Sequence, residues 1–208
     1  MKLYLSSYRL GNESDKLKKL VGKNKRAAII PNALDFSTDI ERRNAGVARE
    51  INDLQNLGFQ PEEFDLKGYF DKASKLKKDL SSYGLIWVIG GNAFILLKAM
   101  IKSGMDKWLL AQQKENNELV YAGYSAGVCV LSPSLKGLQT VDDPKAKAKG
   151  YESKVIWEGM GIVNWSFAPH YKSDHRESDS VNKLVEYYID NRILFKALRD
   201  GEVIIEKN

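Results

Sequence analysis

Residues Leu119-Val120-Tyr121-Ala122-Gly123-Tyr124-Ser125-Ala126-Gly127-Val128-Cys129-Val130 decide how the rest of the chain is read. The first four form an apolar run with the make-up of a buried strand. The middle reads G-x-S-x-G, and the last residues are small and apolar, as at the start of a closely packed helix. A strand, a sharp turn carrying serine and a helix together make a nucleophile elbow. A serine hydroxyl is a poor nucleophile at neutral pH. It needs a turn to expose it, a base to take its proton and amide donors for the oxyanion that forms. Gly123 and Gly127 are read as letting the backbone turn without a Cβ clash.

On both sides of this stretch, strand and helix patterns alternate. Residues 3–5 and 27–30 read as strands. Thr38 and Glu41 suit a capping box, and Val47, Ile51, Leu54 and Leu57 then share one helical face that Gly58 ends. Residues 64–66 are a weaker strand and residues 85–89 a strong one, closed by Gly90-Gly91. A helix from about Asn92 carries Phe94, Leu97 and Ile101, Gly104 breaks it, and a second helix runs through Trp108. After the elbow come a loop-rich region (132–161) and a strand at 165–168. A helix capped by Ser178 with Val181, Leu184, Val185 and Tyr188 follows, and then a last strand at 203–205. Such alternation predicts an α/β protein with a mainly parallel sheet and helices on both faces. Ligands of such sheets sit outside the carboxyl ends of the strands. Gly90-Gly91, Ser125 and Pro169-His170 each follow a strand, so all three are expected at one rim.

Bulk properties narrow the function. A length of 208 residues and 43% hydrophobic content fit one globular domain over 1–208. Net charge is +5 and the isoelectric point about 9.1, but basic residues are interleaved with acids. The run Lys145-Ala146-Lys147-Ala148-Lys149 reads as a solvated loop, and no nucleic-acid motif accompanies the charge, so no nucleic-acid partner is expected. The single cysteine, Cys129, excludes a disulfide framework or a cysteine-rich zinc site within the chain. It lies one helical turn past Ser125 and reads as a small buried hydrophobe. The first residues turn polar by Ser6, and no apolar run is long enough to span a membrane. The expectation is a cytoplasmic monomer or homodimer with no membrane partner.

Two histidines are available to serve Ser125. His170, in Ala168-Pro169-His170-Tyr171, directly follows a strand behind a proline that stiffens its mount. A lone histidine is more often structural; coupled to an elbow and a strand end, His170 reads as the base. His175 lies in a polar run and reads as a rim or loop residue. The orienting acid is expected between nucleophile and base, and Asp142 is chosen, with Asp143, Glu152 and Glu158 as alternatives. The amides of Gly91 and Ala126 are expected to form the oxyanion hole. Asn92 reads as a helix cap and as a substrate contact; no metal or cofactor is called for.

Three blocks, residues 89–97, Gly123-Tyr124-Ser125-Ala126-Gly127 and Ala168-Pro169-His170-Tyr171, together resemble peptidase family S51, the dipeptidase E-like serine peptidases. The resemblance implies a flavodoxin-like three-layer sandwich akin to class I glutamine amidotransferases. It implies metal-free hydrolysis of short peptides by a Ser-His-Asp triad through an acyl-enzyme. Family members include aspartyl dipeptidases, which use a basic residue in the loop after the histidine to hold an acidic substrate; Arg176 and Lys172 are the candidates for it here. The competing readings are another amidase or esterase on this scaffold, or a non-catalytic binding module.

Overall fold

The central strands are continuous buried runs because both faces of the sheet are covered. The computed structural model describes residues 1–115 and 117–207. Its strands are β1 (Lys2–Ser6), β2 (Arg26–Ile30), β3 (Gln60–Glu63), β4 (Leu85–Val88), β5 (Val120–Tyr124), β6 (Ser166–Ala168), β7 (Phe195–Ala197) and β8 (Val203–Glu206). The helices are α1 (Ser14–Leu20), α2 (Ile40–Asn56), α3 (Ala73–Leu80), α4 (Ala93–Ser103), α5 (Met105–Lys114), α6 (Ala126–Cys129) and α7 (Ser178–Asp190). Six strands form one sheet in the order β3-β2-β4-β5-β1-β8, parallel except for β8. β6 and β7 form a separate parallel pair.

Period-2 patterning assigns each strand residue to one of two cores. Leu5, Ile30, Val88 and Tyr121 pack on one face with Leu80, Phe94, Trp108 and Leu184 from α3, α4, α5 and α7. Tyr4, Ile29, Trp87 and Ala122 pack on the other with Leu17 of α1 and Val47 and Leu54 of α2. Each fully buried large apolar side chain contributes about 1.5–3 kcal/mol, which sets the strand register firmly. The result is a three-layer α/β sandwich, as the alternation predicts.

Several local expectations shift. β3 lies at Gln60–Glu63, ahead of the expected 64–66. It is an edge strand, where Pro61 is tolerated, and the Phe64 amide still donates to the Ile29 carbonyl at 2.8 Å. Asp39, not Thr38, caps α2 by accepting the Arg42 amide at 2.8 Å. Ser178 is the first residue of α7 rather than its cap, and its Oγ accepts the Ser173 amide. Ile101 is exposed rather than packed. β7 carries no strong apolar signal and was not anticipated; its pairing Ala168↔Ala197 matters below.

Candidate active site

The turn between β5 and α6 is strained at its serine. Ser125 has φ 50° and ψ −116°, a conformation that costs a non-glycine residue about 1–3 kcal/mol. The flanking glycines serve close approach instead. A Cβ at Gly123 or Gly127 would stand 2.8 or 2.6 Å from the Val88 carbonyl oxygen of the neighbouring strand. Gly90, after β4, lies so near the elbow that a Cβ would meet the Tyr124 ring at 2.8 Å. The small residues therefore let two strand ends meet at Ser125. Cys129 is buried as expected, and burial pushes its thiol up out of the reactive range.

The carboxyl ends of β1, β4, β5, β6 and β7 deliver Tyr8, Gly91, Ser125, His170 and Asp200 respectively. A cavity of about 630 Å³ is lined by Tyr8, Gly91, Ser125, His170, His175 and Arg49 among others. Ser125 and His170 thus face one space, as the rim argument expects. The amides of Gly91 and Ala126 have no protein acceptor among the described residues and remain available as donors.

The acid beside His170 is not Asp142. Nδ1 of His170 lies 2.6 Å from Oδ1 of Asp200. The reason is topological: β6 and β7 are parallel neighbours in register, so the residues just past Ala168 and Ala197 emerge side by side. Ser7, at the end of β1, fastens the pair. Its hydroxyl donates to Asp200 Oδ1 at 2.9 Å and accepts the His170 amide at 2.8 Å. The Asp200 amide in turn donates to Ser173 Oγ at 2.8 Å. His170 is 2% exposed, and burial lowers its pKa below the usual imidazole value while Asp200 pulls it back up. The ring therefore stays neutral near pH 7, as a base requires.

Asp142 does a different job. Its Oδ2 accepts the Ala93 amide at 2.8 Å at the start of α4, which ties the loop after the elbow to the Gly90-Gly91 turn. Desolvation raises its pKa to about 7, against an ordinary value of 3.8. Between roughly pH 4 and pH 7 the folded state therefore holds a proton that the unfolded chain lacks, and stability falls as pH rises through that window. Asp142→Asn keeps an acceptor for Ala93 and removes the titration. Urea unfolding should show the variant about 1–2 kcal/mol more stable than wild type at pH 8 and level with it near pH 4.

The remaining expectations divide. Asn92 caps α4, with Oδ1 accepting the Ile95 amide at 3.0 Å and Nδ2 donating to the Asp143 carbonyl at 2.9 Å. Its side chain is used up by structure and does not line the cavity. Arg176 does line the cavity, with its side chain 68% exposed and leaning on Glu177. Lys172 lies outside the lining, over the Tyr171 ring. His175, read as a loop residue, stacks on His170 with centroids 3.7 Å apart and planes 7° apart. His170, His175 and Glu177 bring donor atoms within 4.8 Å of one another, the one such trio among the described residues. The stacked rings send their in-plane lone pairs side by side rather than onto one point, which suits a metal ion poorly. None of the described helices is long and apolar enough to cross a membrane.

Comparison with known proteins bears on this arrangement. The model of peptidase family S51 matches residues 5–208. An uncharacterized peptidase of Listeria monocytogenes is 30% identical over 136 residues, 64% of this chain and 62% of that protein. Peptidase E of Streptomyces coelicolor is 28% identical over 142 residues, 66% of this chain and 54% of that protein. The chain thus spans between 54% and 62% of the length of these two curated relatives. A solved structure of a peptidase E candidate from Listeria monocytogenes EGD-e superposes with a TM-score of 0.70 at 23% identity, covering 100% of this chain and 98% of that one. That likeness gives the fold, the class I glutamine amidotransferase-like sandwich. With its family model matched from the first strand to the end of the sequence, this chain belongs to peptidase family S51.

Proposed function

We propose that this protein is a serine peptidase that cleaves short peptides through an acyl-enzyme. One observation carries the reading: a buried, neutral His170, held through Nδ1 by Asp200, shares a cavity with a serine on a strained elbow. In the proposed course, His170 takes the Ser125 proton through Nε2 as Oγ attacks the peptide carbonyl. The oxyanion is stabilised by the Gly91 and Ala126 amides. His170 then gives the proton to the departing amine, and water hydrolyses the acyl-enzyme with the same groups. Asp200 holds the Nδ1–H tautomer and stabilises the imidazolium. Arg176 supplies a cation on the histidine side of the cavity for an acidic first residue.

The test is labelling with a fluorophosphonate probe, followed by peptide mapping. Folded protein should be labelled at Ser125 alone, and heat-denatured protein should not react. Folded protein that stays unlabelled would overturn the reading and favour a binding module. Turnover of p-nitrophenyl esters with no cleavage of any peptide in a small panel would favour the esterase alternative.

A further inference from the structure

One wall of the cavity has no part in the mechanism above. Arg42, Gly46 and Arg49 of α2 lie at i, i+4 and i+7, on one helical face, and all three line the space that Ser125 opens into. Arg43, also in the lining, is already engaged by Glu63 at 2.7 Å and flanked by Asp35 and Asp65. Arg42 has no carboxylate partner among the described residues. Arg49 reaches only Glu50, through one terminal nitrogen at 3.4 Å, and its side chain stays 45% exposed. Its other donors have no protein acceptor among the described residues.

Glu50 makes this placement firm. It is fully buried, and it accepts from Trp87 Nε1 at 3.1 Å and from the Tyr124 hydroxyl at 3.2 Å. Tyr124 is the residue before Ser125. One buried carboxylate therefore registers the Arg49 guanidinium against the elbow. Gly46 points the same way. A glycine inside a helix costs about 0.5–1 kcal/mol relative to alanine. A Cβ there would meet only Leu34 Cδ1, at an ordinary 3.7 Å, so packing does not demand a glycine. Its effect is to leave the wall bare between two guanidinium groups. Asp174 and Glu177 line the same cavity from the histidine loop. The α2 side carries one guanidinium unpaired among the described residues and one loosely held, and on the histidine side two acids, Asp174 and Glu177, stand with one cation, Arg176.

We propose that Arg49, with Arg42 beside it, anchors the C-terminal carboxylate of the substrate, so that the cavity selects short peptides with free ends. A guanidinium fork matches a carboxylate, and the acids opposite match an N-terminal ammonium. The proposal rests on the serine-peptidase reading and adds a substrate class to it. Gly46 leaves room for the last residue of the peptide.

The experiment compares kcat/KM for Leu-Leu and Leu-Leu-amide, and for Asp-Leu and Asn-Leu, in wild type, Arg49→Gln, Arg42→Gln and Gly46→Val. Wild type should prefer the free acid over the amide by about 10- to 100-fold, the scale of a charge-assisted hydrogen bond. Arg49→Gln should cut that ratio at least about tenfold, mostly through KM, with a smaller effect in Arg42→Gln. Gly46→Val should raise KM for the free acid. The ratio is internal to each variant, and melting curves report folding. If Arg49→Gln fails to fold for want of its tie to Glu50, Arg42→Gln and Gly46→Val still decide. Equal use of acid and amide by wild type would overturn the proposal, as would ratios that both arginine variants leave unchanged. An effect on Asp-Leu against Asn-Leu only would assign the arginines to a side chain and overturn it too. Labelled Ser125 with no acid preference sinks this proposal alone; unlabelled Ser125 sinks the peptidase reading beneath it.

Discussion

Ser125→Ala should lower kcat for short peptides by roughly 10⁶-fold while leaving melting temperature within a few degrees of wild type. The size follows from what is removed. In the proposed course no acyl-enzyme can form without Oγ, and His170 has no Ser125 proton to take. What survives is the oxyanion site and substrate binding, which in serine peptidases still leave about 10³–10⁴-fold acceleration over water. The fold should tolerate the change because alanine keeps the Cβ, and Ser125 Oγ makes no hydrogen bond within the protein among the described residues. The strain at φ 50° is unchanged by the substitution. The backbone is held by the close approach of Gly123 and Gly127 to Val88, not by the hydroxyl. Stopped-flow or long-time-course assays on the same peptide panel, with circular dichroism alongside, check both halves. A variant with even a tenth of wild-type turnover would remove Ser125 from the chemistry.

Most of the frame was legible in the sequence because it is local. β4 and β5 are continuous apolar runs, and buried parallel strands have few other ways to look. The elbow glycines signal a close approach before any neighbour is known. His170 stands out because only two histidines exist and one follows a strand. Asp200 could not be found this way. Its partner is 30 residues earlier, and what unites them is the pairing of β6 with β7, two three-residue strands with little pattern to read. The expectation of an acid between nucleophile and base borrowed the chain order of other hydrolases, and Asp142 filled it by default. One signal was present: Arg199-Asp200-Gly201 reads as a turn between β7 and β8. Ser7 and Tyr8 were missed because the end of β1 was read only as the point where the chain turns polar. Glu50 was hidden differently. On a helical wheel it shares a face with Val47 and Leu54, where a carboxylate looks like an error until Trp87 and Tyr124 supply its donors.

Asp200→Asn tests that pairing with the second large effect, a fall in kcat of about 10⁴-fold at pH 7. The carboxylate is a pure acceptor and fixes the proton on Nδ1 of His170. An asparagine can turn its amide donor toward Nδ1, which moves the ring proton to Nε2, the position that accepts from Ser125 in the proposed course. Ser7 resists that flip, since its hydroxyl donates to the same Oδ1 that faces Nδ1, but it can turn instead to the Leu198 carbonyl 3.3 Å away. The pH profile separates this from simple loss of structure. In wild type, desolvation outweighs Asp200, so the acid limb of kcat/KM should lie below the ordinary imidazole value of 6.5. Removing the anion removes the stronger of the two attractions that raise the pKa, Glu177 being the weaker, and leaves the burial that lowers it. The acid limb should therefore move further down in Asp200→Asn, even as the plateau collapses. A variant that merely loosened the loop would expose His170 and move the limb up toward 6.5. Asp142→Asn, whose carboxylate contacts Ala93 and not His170, should leave the position of that limb unchanged. If Asp142→Asn shifts the limb and Asp200→Asn does not, the orienting acid is Asp142 and the β6–β7 pairing has no part in holding the base.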